Sequence, residues 1–175
     1  MSAETRHGAE TESAAPAAPP LFLSGTFSGK FDSKGRVILP PAFRQQLSGT
    51  VYGFPSFTEE VVMIGDQRLR ARLVAAAKSF EAVDAASPAL TAFQQKIVQD
   101  LQPLSVDDAG RAVLSQKLKD HARLNGALVF AGRDHHFVLA REDVLQSHDD
   151  AAAAFAREFG EAFAARMRPT TGEGS

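Results

Sequence analysis

The 175-residue chain has no cysteine, 44% hydrophobic and 23% charged residues, and a formal net charge of −2. This composition is typical of a globular protein that buries a core, and it excludes disulfides, thiolate metal sites and a cysteine nucleophile. No apolar run approaches the roughly 18 residues of a membrane span, and the N-terminus lacks a basic segment followed by an apolar stretch. We therefore expect a cytoplasmic protein without a membrane partner.

Polar tails are predicted at both ends of the chain. Residues 1–20 are rich in Ala, Pro, Glu, Thr and Ser and have no apolar periodicity. Such a segment cannot bury enough apolar surface to offset the entropy lost on ordering. Residues 169–175 have the same character. We predict that both tails are disordered and that the folded part begins near Leu21.

The first folded segment reads as a turn between two strands. Apolar and polar residues alternate on both sides of Asp32-Ser33-Lys34-Gly35, which predicts a β-hairpin. Gly35 can take the positive φ of a tight turn, and Asp32 can accept hydrogen bonds from turn amides. Pro40 ends the strand, and Pro41 suits the first position of a short helix over 42–47. Two more strands are predicted at 51–54 and 61–64.

A helical insert is predicted over 66–100. It begins with a helix at 66–83 and resumes after the Ser87-Pro88 break with a second helix at 89–98. Apolar residues at helical spacing predict the buried faces of both helices. The residues expected to face inward are Leu69, Leu73, Ala76, Ala77, Phe80, Phe93, Ile97 and Val98.

After the insert, the strand–turn–strand–helix order is repeated. Strands are predicted at 104–106 and 112–114 around a turn at 107–110, followed by a helix at 115–123 and strands at 127–130 and 136–139. A final amphipathic helix is predicted at 141–167. Its buried candidates are Val144, Leu145, Phe155, Phe159 and Phe163. The alanines at 151–154 fit either a helix that lies on its own domain or a surface for a partner helix.

The repetition extends to a specific motif. Residues 31–44 read FDSKGRVILPPAFR and residues 106–119 read VDDAGRAVLSQKLK, so an offset of 75 aligns Asp32 with Asp107 and Arg36 with Arg111. A repeat at fixed offset indicates two copies of one supersecondary unit and a pseudo-symmetric fold. We predict an α+β protein with a first unit at 21–65, the insert at 66–100, a second unit at 101–146 and a C-terminal helix at 147–168.

Positive charge is concentrated in the first copy. Residues 24–52 carry four basic side chains against one acidic side chain, whereas residues 141–175 carry four against seven. Exposed Arg and Lys on a β-ribbon suit DNA, because a guanidinium can meet guanine edges in the major groove and lysines can neutralise phosphates. The alternative is that Asp32 and Arg36 only brace the turn by an ion pair while Lys34 is solvated. The candidate DNA-binding residues are Lys30, Asp32, Lys34, Arg36, Arg44, Asp107, Arg111 and Lys119.

The tandem motif resembles the MraZ family of bacterial transcriptional regulators, through Leu23-Ser24-Gly25, Asp32–Arg36, Pro40 and Phe43-Arg44. The resemblance covers roughly 21–145. It implies a pseudo-twofold β-barrel of two swapped-hairpin units like those of AbrB and MazE. It also implies sequence-specific binding of short DNA repeats upstream of the division and cell-wall gene cluster, including the regulator's own gene, by a ring of subunits. Such a protein would be associated with the nucleoid, and its leading DNA contact would be Arg36.

The second copy departs from this pattern. Ser115 and Lys117 stand where the family carries further Pro and Arg, Lys119 replaces the planar fork of Arg44 with an ammonium group, and Asp108 adds a negative charge. The second unit is therefore expected to contact DNA more weakly or to complete only the barrel and ring. The N-terminal extension before Leu21 also lies outside the family pattern.

Two other function classes were weighed. A protein-interaction module, such as an antitoxin-like barrel, is the main alternative and would lack the steep salt dependence of phosphate binding. An enzyme would need converging titratable groups, which the sequence does not offer, so no small-molecule substrate or cofactor is expected. The neighbouring His135 and His136 lie on a predicted strand, where adjacent side chains point to opposite faces, so no metal site is expected there.

Overall fold

The computed structural model describes residues 22–81 and 87–168, so the two predicted tails lie outside the described residues. This part of the chain contains eight strands and five helices, which confirms the α+β class. In chain order the elements are β1 (Thr26–Lys30), β2 (Arg36–Ile38), α1 (Pro41–Arg44), β3 (Val51–Pro55), β4 (Val62–Gly65), α2 (Gln67–Ser79), α3 (Pro88–Asp100), β5 (Gln102–Leu104), β6 (Arg111–Val113), α4 (Gln116–His121), β7 (Ala127–Gly132), β8 (Phe137–Ala140) and α5 (Glu142–Met167).

The strands form two antiparallel sheets. A six-stranded sheet has the order β1-β7-β8-β4-β3-β5, and β2 pairs with β6 in a separate two-stranded sheet, here called the ribbon. The predicted turn at 32–35 is present, since the Asp32 amide donates to the Arg36 carbonyl at 2.8 Å. The predicted hairpin is wrong, because the strands on either side of this turn leave for different sheets, and only Phe31 and Val37 bridge them.

Strand pairing repeats between the two halves of the chain. Val37 lies opposite Ala112, and Met63 lies opposite Val138. Each of these pairs joins two residues that the 75-residue offset makes equivalent, so one pseudo-twofold axis passes through both pairs. The remaining registers obey the same symmetry with an offset of 77 between β3 and β7 and of 75 elsewhere, because the second copy has two more residues between its ribbon strand and β7. Thus Phe27 opposite Phe130 corresponds to Gln102 opposite Gly53.

The main core lies between the ribbon, the six-stranded sheet and the two short helices. Phe43 on α1 is fully buried and packs edge-on against Phe27, with ring centroids 5.0 Å apart, and stacks on Phe137 at 4.7 Å. Its equivalent on α4, Leu118, is also fully buried. Each helix therefore places one large apolar side chain beneath the ribbon and fixes the adjacent turn in place.

The helical insert packs against β3 and β4. Its two helices begin at side-chain caps, because Asp66 accepts a hydrogen bond from the Arg68 amide and Ser87 accepts one from the Leu90 amide. The buried Asp100 pairs with Lys96 and with Lys117, which connects the end of α3 to α4. The predicted end of the first helix, at residue 83, falls outside the described residues.

The predicted inward faces of the insert are only partly confirmed. Leu69, Ala77 and Ile97 are buried, but Phe80, Phe93 and Val98 are 54%, 37% and 65% exposed. Phe93 instead joins an aromatic cluster at the surface, with its ring centroid 5.1 Å from that of Phe57. These residues were wrongly predicted as core because two helices on one face of a sheet cannot bury every apolar position.

The C-terminal helix leaves the sheet after its first two turns. Val144 and Leu145 pack against β8 as predicted, but the next apolar residues of the same helical face meet no sheet. Phe155, Phe159 and Phe163, here called the phenylalanine stripe, are 65%, 43% and 65% exposed, so their predicted burial is wrong. No helix in the described part of the chain is long and apolar enough to span a membrane.

Candidate nucleic-acid interface

The first turn is held together by Asp32. One carboxylate oxygen accepts hydrogen bonds from the Lys34 and Arg36 amides at 2.8 and 2.9 Å, and the other accepts from Arg36 Nε at 2.8 Å. Gly35 has a φ of +71°, which favours glycine. The side chain of Arg36 is 24% exposed, whereas Lys34 is exposed to solvent. The turn therefore presents one braced guanidinium and one solvated ammonium group.

The second turn reproduces this geometry. Asp107 accepts hydrogen bonds from the Arg111 amide at 2.9 Å and from Arg111 Nε at 2.7 Å. Gly110 has a φ of +79°. The backbone amides of Arg36 and Arg111, followed by their guanidinium groups, lower the pKa of Asp32 and Asp107 below the usual value. Both carboxylates are therefore ionised at neutral pH, and each turn keeps its Asp–Arg brace.

Each short helix reaches over the turn of the other repeat. Arg44, on α1 of the first repeat, lies against Gly110 and donates from Nη1 to the Asp108 carbonyl at 3.2 Å. Lys119, on α4 of the second repeat, lies near Gly35, and its Nζ is 5.8 Å from the centre of the Phe31 ring. The predicted grouping of Arg44 with the first turn is therefore wrong, and Lys119 takes that place.

This exchange makes the two turns electrostatically different. The first turn combines Lys34 and Arg36 with Lys119 from the other repeat, against the single carboxylate of Asp32, and Lys30 lies at the end of β1 just before this turn. We call these four cationic side chains the basic cluster. The second turn combines two arginines with two aspartates, Arg44 and Arg111 with Asp107 and Asp108, and is neutral overall. The pseudo-symmetric backbone thus carries an asymmetric charge distribution, with a positive excess at the first turn and none at the second.

The ribbon joins the two turns and exposes a mixed face. Val37 and Ala112 point into the core, whereas Arg36, Ile38, Arg111 and Val113 lie on the opposite face. Arg36 is paired across the ribbon with Val113, and Ile38 with Arg111. Ile38 and Val113 are 59% and 50% exposed. Ile38 shares this face with Arg36 because residues two apart on a strand lie on the same side, and the face is turned to solvent.

The other polar cluster considered from the sequence does not form a metal site. His135 and His136 contact each other with ring centroids 5.3 Å apart, but His136 is buried while His135 is not. Burial, and then the nearby charges of His135 and Arg133, lower the pKa of His136 to about 4. Within residues 22–81 and 87–168, no group of three or more His, Asp or Glu side chains is arranged to hold a metal ion.

Comparison with known proteins agrees with the motif and its geometry. A family model described as "MraZ protein, putative antitoxin-like" matches residues 22–69, which include the first turn, the first strand of the ribbon and α1. Proteins named "Transcriptional regulator MraZ" are similar over most of their length. That of Xanthobacter autotrophicus is 31% identical over 83% of this chain and 92% of its own length. Those of Caulobacter vibrioides and Pelagibacter ubique are 30% and 32% identical, over 85% and 67% of this chain and 94% and 76% of their own lengths. The chain therefore belongs to the MraZ family.

Proposed function

We propose that this protein is a non-enzymatic transcriptional regulator that binds double-stranded DNA in a sequence-specific manner. The observation that carries the proposal is the basic cluster, which gathers four cationic side chains from both repeats around one turn of an exposed two-stranded ribbon. A two-stranded ribbon fits the major groove of B-DNA, and clustered cations release condensed counterions when they neutralise phosphates. The names of the similar proteins point in the same direction.

In this mechanism the two kinds of cation have different tasks. Lys34, at the exposed tip of the first turn, and Lys30 and Lys119 beside it contact phosphates as mobile point charges. Arg36 is held by Asp32 through Nε and Nη2, so its remaining N–H groups are oriented before DNA arrives and can meet a guanine edge. Arg111 is oriented in the same way by Asp107, but its turn is neutral overall and adds little to phosphate binding.

The salt dependence of DNA binding tests this proposal. We expect the wild-type chain to bind a duplex from upstream of its own gene with an affinity that falls steeply as salt rises. Replacing both Lys34 and Lys119 with alanine should reduce the slope of log affinity against log salt by about 2, since each lost phosphate contact removes about 0.9. Fluorescence anisotropy at several salt concentrations measures the slope.

A matched control is available on the helical insert. Arg70 and Lys78 are exposed on α2, so replacing both with alanine removes the same charge from a different surface. This control should keep the wild-type slope. If both double variants lose equal affinity, binding depends on net charge and the basic cluster is not the DNA-binding surface. If the folded wild type binds no duplex selectively, the antitoxin-like protein-interaction function, which the description of the family model also names, becomes the better assignment.

The swapped-hairpin barrel is part of the same proposal. We infer that residues 21–65 and 101–146 are the two halves of one AbrB-like barrel, to which the insert at 66–100 and the helix at 147–168 are added. The matching registers of the two halves support this division, as do the bridges from Phe31 to Val37 and from Val106 to Ala112 that link the ribbon to the strands before each turn.

Assembly into a ring of identical subunits would suit recognition of repeated DNA elements. Several subunits that engage successive repeats gain affinity by avidity, so the contact of each ribbon can be weak. The phenylalanine stripe supports self-association, because three large aromatic side chains on one helical face are exposed beyond the end of the sheet. The expected targets are short repeats upstream of the division and cell-wall gene cluster, including the protein's own gene, and the expected location is the nucleoid.

Self-association is tested by removing the stripe. We expect Phe155→Ser combined with Phe163→Ser to lower the mass of the assembly in solution, because each substitution removes an aromatic side chain that is 65% exposed. Light scattering coupled to size-exclusion chromatography measures the mass. Phe22→Ser is the control, since Phe22 is 63% exposed at a different place. An unchanged mass in the double variant would assign the subunit contact to another surface.

A further inference from the structure

We propose that Ile38 and Val113 read thymine methyl groups in the major groove and so contribute to sequence selection. The inference rests on the proposed DNA-binding function and adds an apolar component to the arginine contacts of the same ribbon. The first observation is that both side chains are branched and apolar, a type that is usually buried, yet they are 59% and 50% exposed. They occupy equivalent positions in the two repeats, on the outward face of the ribbon.

The surroundings of these residues favour DNA as the partner. Ile38 lies opposite Arg111 and two positions along β2 from Arg36, and Val113 lies opposite Arg36 and two positions along β6 from Arg111. Residues opposite each other across antiparallel strands are about 5 Å apart, so each apolar side chain stands between two guanidinium groups. A partner that meets both arginines at once must be rich in negative charge or acceptor groups, which agrees with a nucleic acid groove.

The chemistry of the groove supplies the apolar partner. In the major groove, guanine presents two acceptors that match a guanidinium, and thymine presents a methyl group that matches an aliphatic side chain. Alternation of arginine and aliphatic residues on one ribbon face therefore matches alternation of guanine edges and thymine methyl groups. A groove of about 340 Å³ beside Ile38, lined also by Lys30 and Gly29, leaves room for a base edge and its phosphate to approach.

The two apolar residues differ in side-chain length, and this difference indicates how the ribbon is oriented against the DNA. Val113 lies at the end of the ribbon next to the first turn, whereas Ile38 lies at the end next to the second turn, with Lys30 lining the groove beside it. The end at the first turn, where Lys34 and Lys119 lie, thus carries the shorter side chain, and the end at the second turn carries the longer one. Phosphate contacts at the first turn bring that end of the ribbon closest to the DNA, so the other end lies farther from the floor of the groove. The longer isoleucine side chain spans that greater distance.

Removing the methyl group from the DNA tests the inference without changing the protein. We compare a duplex from upstream of the protein's own gene with the same duplex in which deoxyuridine replaces thymidine. The wild type should bind the deoxyuridine duplex more weakly, by about fourfold for each contacted methyl group, the factor that corresponds to one buried methyl-sized group. The variant Ile38→Ser/Val113→Ser should bind both duplexes equally and as weakly as the wild type binds deoxyuridine DNA.

Each outcome has a distinct meaning. Equal binding of both duplexes by the wild type overturns the inference while the DNA-binding function stands, as does a variant that stays fully sensitive to the methyl group. A variant that loses subunit contacts in light scattering but keeps the sensitivity assigns these residues to contacts between copies. Absence of selective binding to either duplex contradicts the proposed function itself. A thermal denaturation curve of the variant, compared with the wild type, shows that the ribbon remains folded.

Discussion

Replacing Phe43 with alanine is expected to lower the free energy of unfolding by about 3–5 kcal/mol, the usual cost of removing a fully buried phenylalanine. Phe43 is 0% exposed and packs between the rings of Phe27 and Phe137, which belong to different strands of the six-stranded sheet. The rigid neighbouring rings cannot collapse fully into the space, so a cavity remains. Since domains of this size are stable by only about 5–15 kcal/mol, the variant should be close to unfolding.

Chemical denaturation followed by circular dichroism measures this effect. Phe22→Ala is the matched control because Phe22 is 63% exposed, and it should change the free energy of unfolding by no more than about 0.5 kcal/mol. The Phe43 variant should also lose DNA binding, because α1 and the ribbon share this core. A midpoint for Phe43→Ala within the error of the control would mean that the packing around α1 does not stabilise the fold.

The second large effect is expected from Arg36→Ala, which should weaken binding to a specific duplex by about tenfold to a hundredfold, the range of one well-formed contact to a base edge. Its equivalent in the other repeat is the best control. Arg111→Ala removes the same residue type from the same kind of turn, and its hydrogen bonds to Asp107 match those of Arg36 to Asp32. We expect the control to lose less affinity, near the lower end of that range at about tenfold, because the second turn is neutral overall and adds no phosphate contact.

The pair also separates DNA contact from turn stability. Both substitutions remove an exposed or half-exposed ion pair, which contributes about 0–1 kcal/mol, so the two melting temperatures should shift equally. Arg36→Lys keeps the charge but loses the planar fork and should bind nearly as weakly as Arg36→Ala. Equal losses of affinity for Arg36→Ala and Arg111→Ala would contradict the asymmetric interface, and full affinity in Arg36→Ala would leave Arg36 with a bracing role alone.

The tandem motif was sufficient to predict the turns, the repeat and most strands, because these depend on local residue types. Gly35 and Gly110 take the positive φ that their turns require, and Asp32 and Asp107 accept the turn amides as expected. Pairing partners were not predictable in the same way. Alternation indicates that residues near 26–30 form a strand, but only the tertiary fold determines that this strand pairs with β7 and not with β2.

The residues of the basic cluster likewise could not be predicted from sequence spacing alone. Arg44 lies in the first motif, eight positions after Arg36, yet its side chain contacts Asp108 in the second turn, while Lys119 of the second motif lies at the first turn. A charge count along the sequence therefore gives the right total for the first turn but includes Arg44 in place of Lys119. Likewise, spacing alone predicts the phenylalanine stripe as a buried face, because the period of a helix does not reveal where the supporting sheet ends.

The interleaved strand order has a consequence for how the protein is made. Thr26 at the start of β1 pairs with Ala131, which the ribosome adds roughly 100 residues later. At a synthesis rate of about 5–20 residues per second, β1 is synthesised roughly 5–20 s before β7, the strand with which it pairs. The first repeat therefore emerges without the strands that complete it and cannot mature as an independent unit. The six-stranded sheet can therefore be completed only after the second copy has left the ribosome, although β3 and β4 of the first repeat already pair with each other.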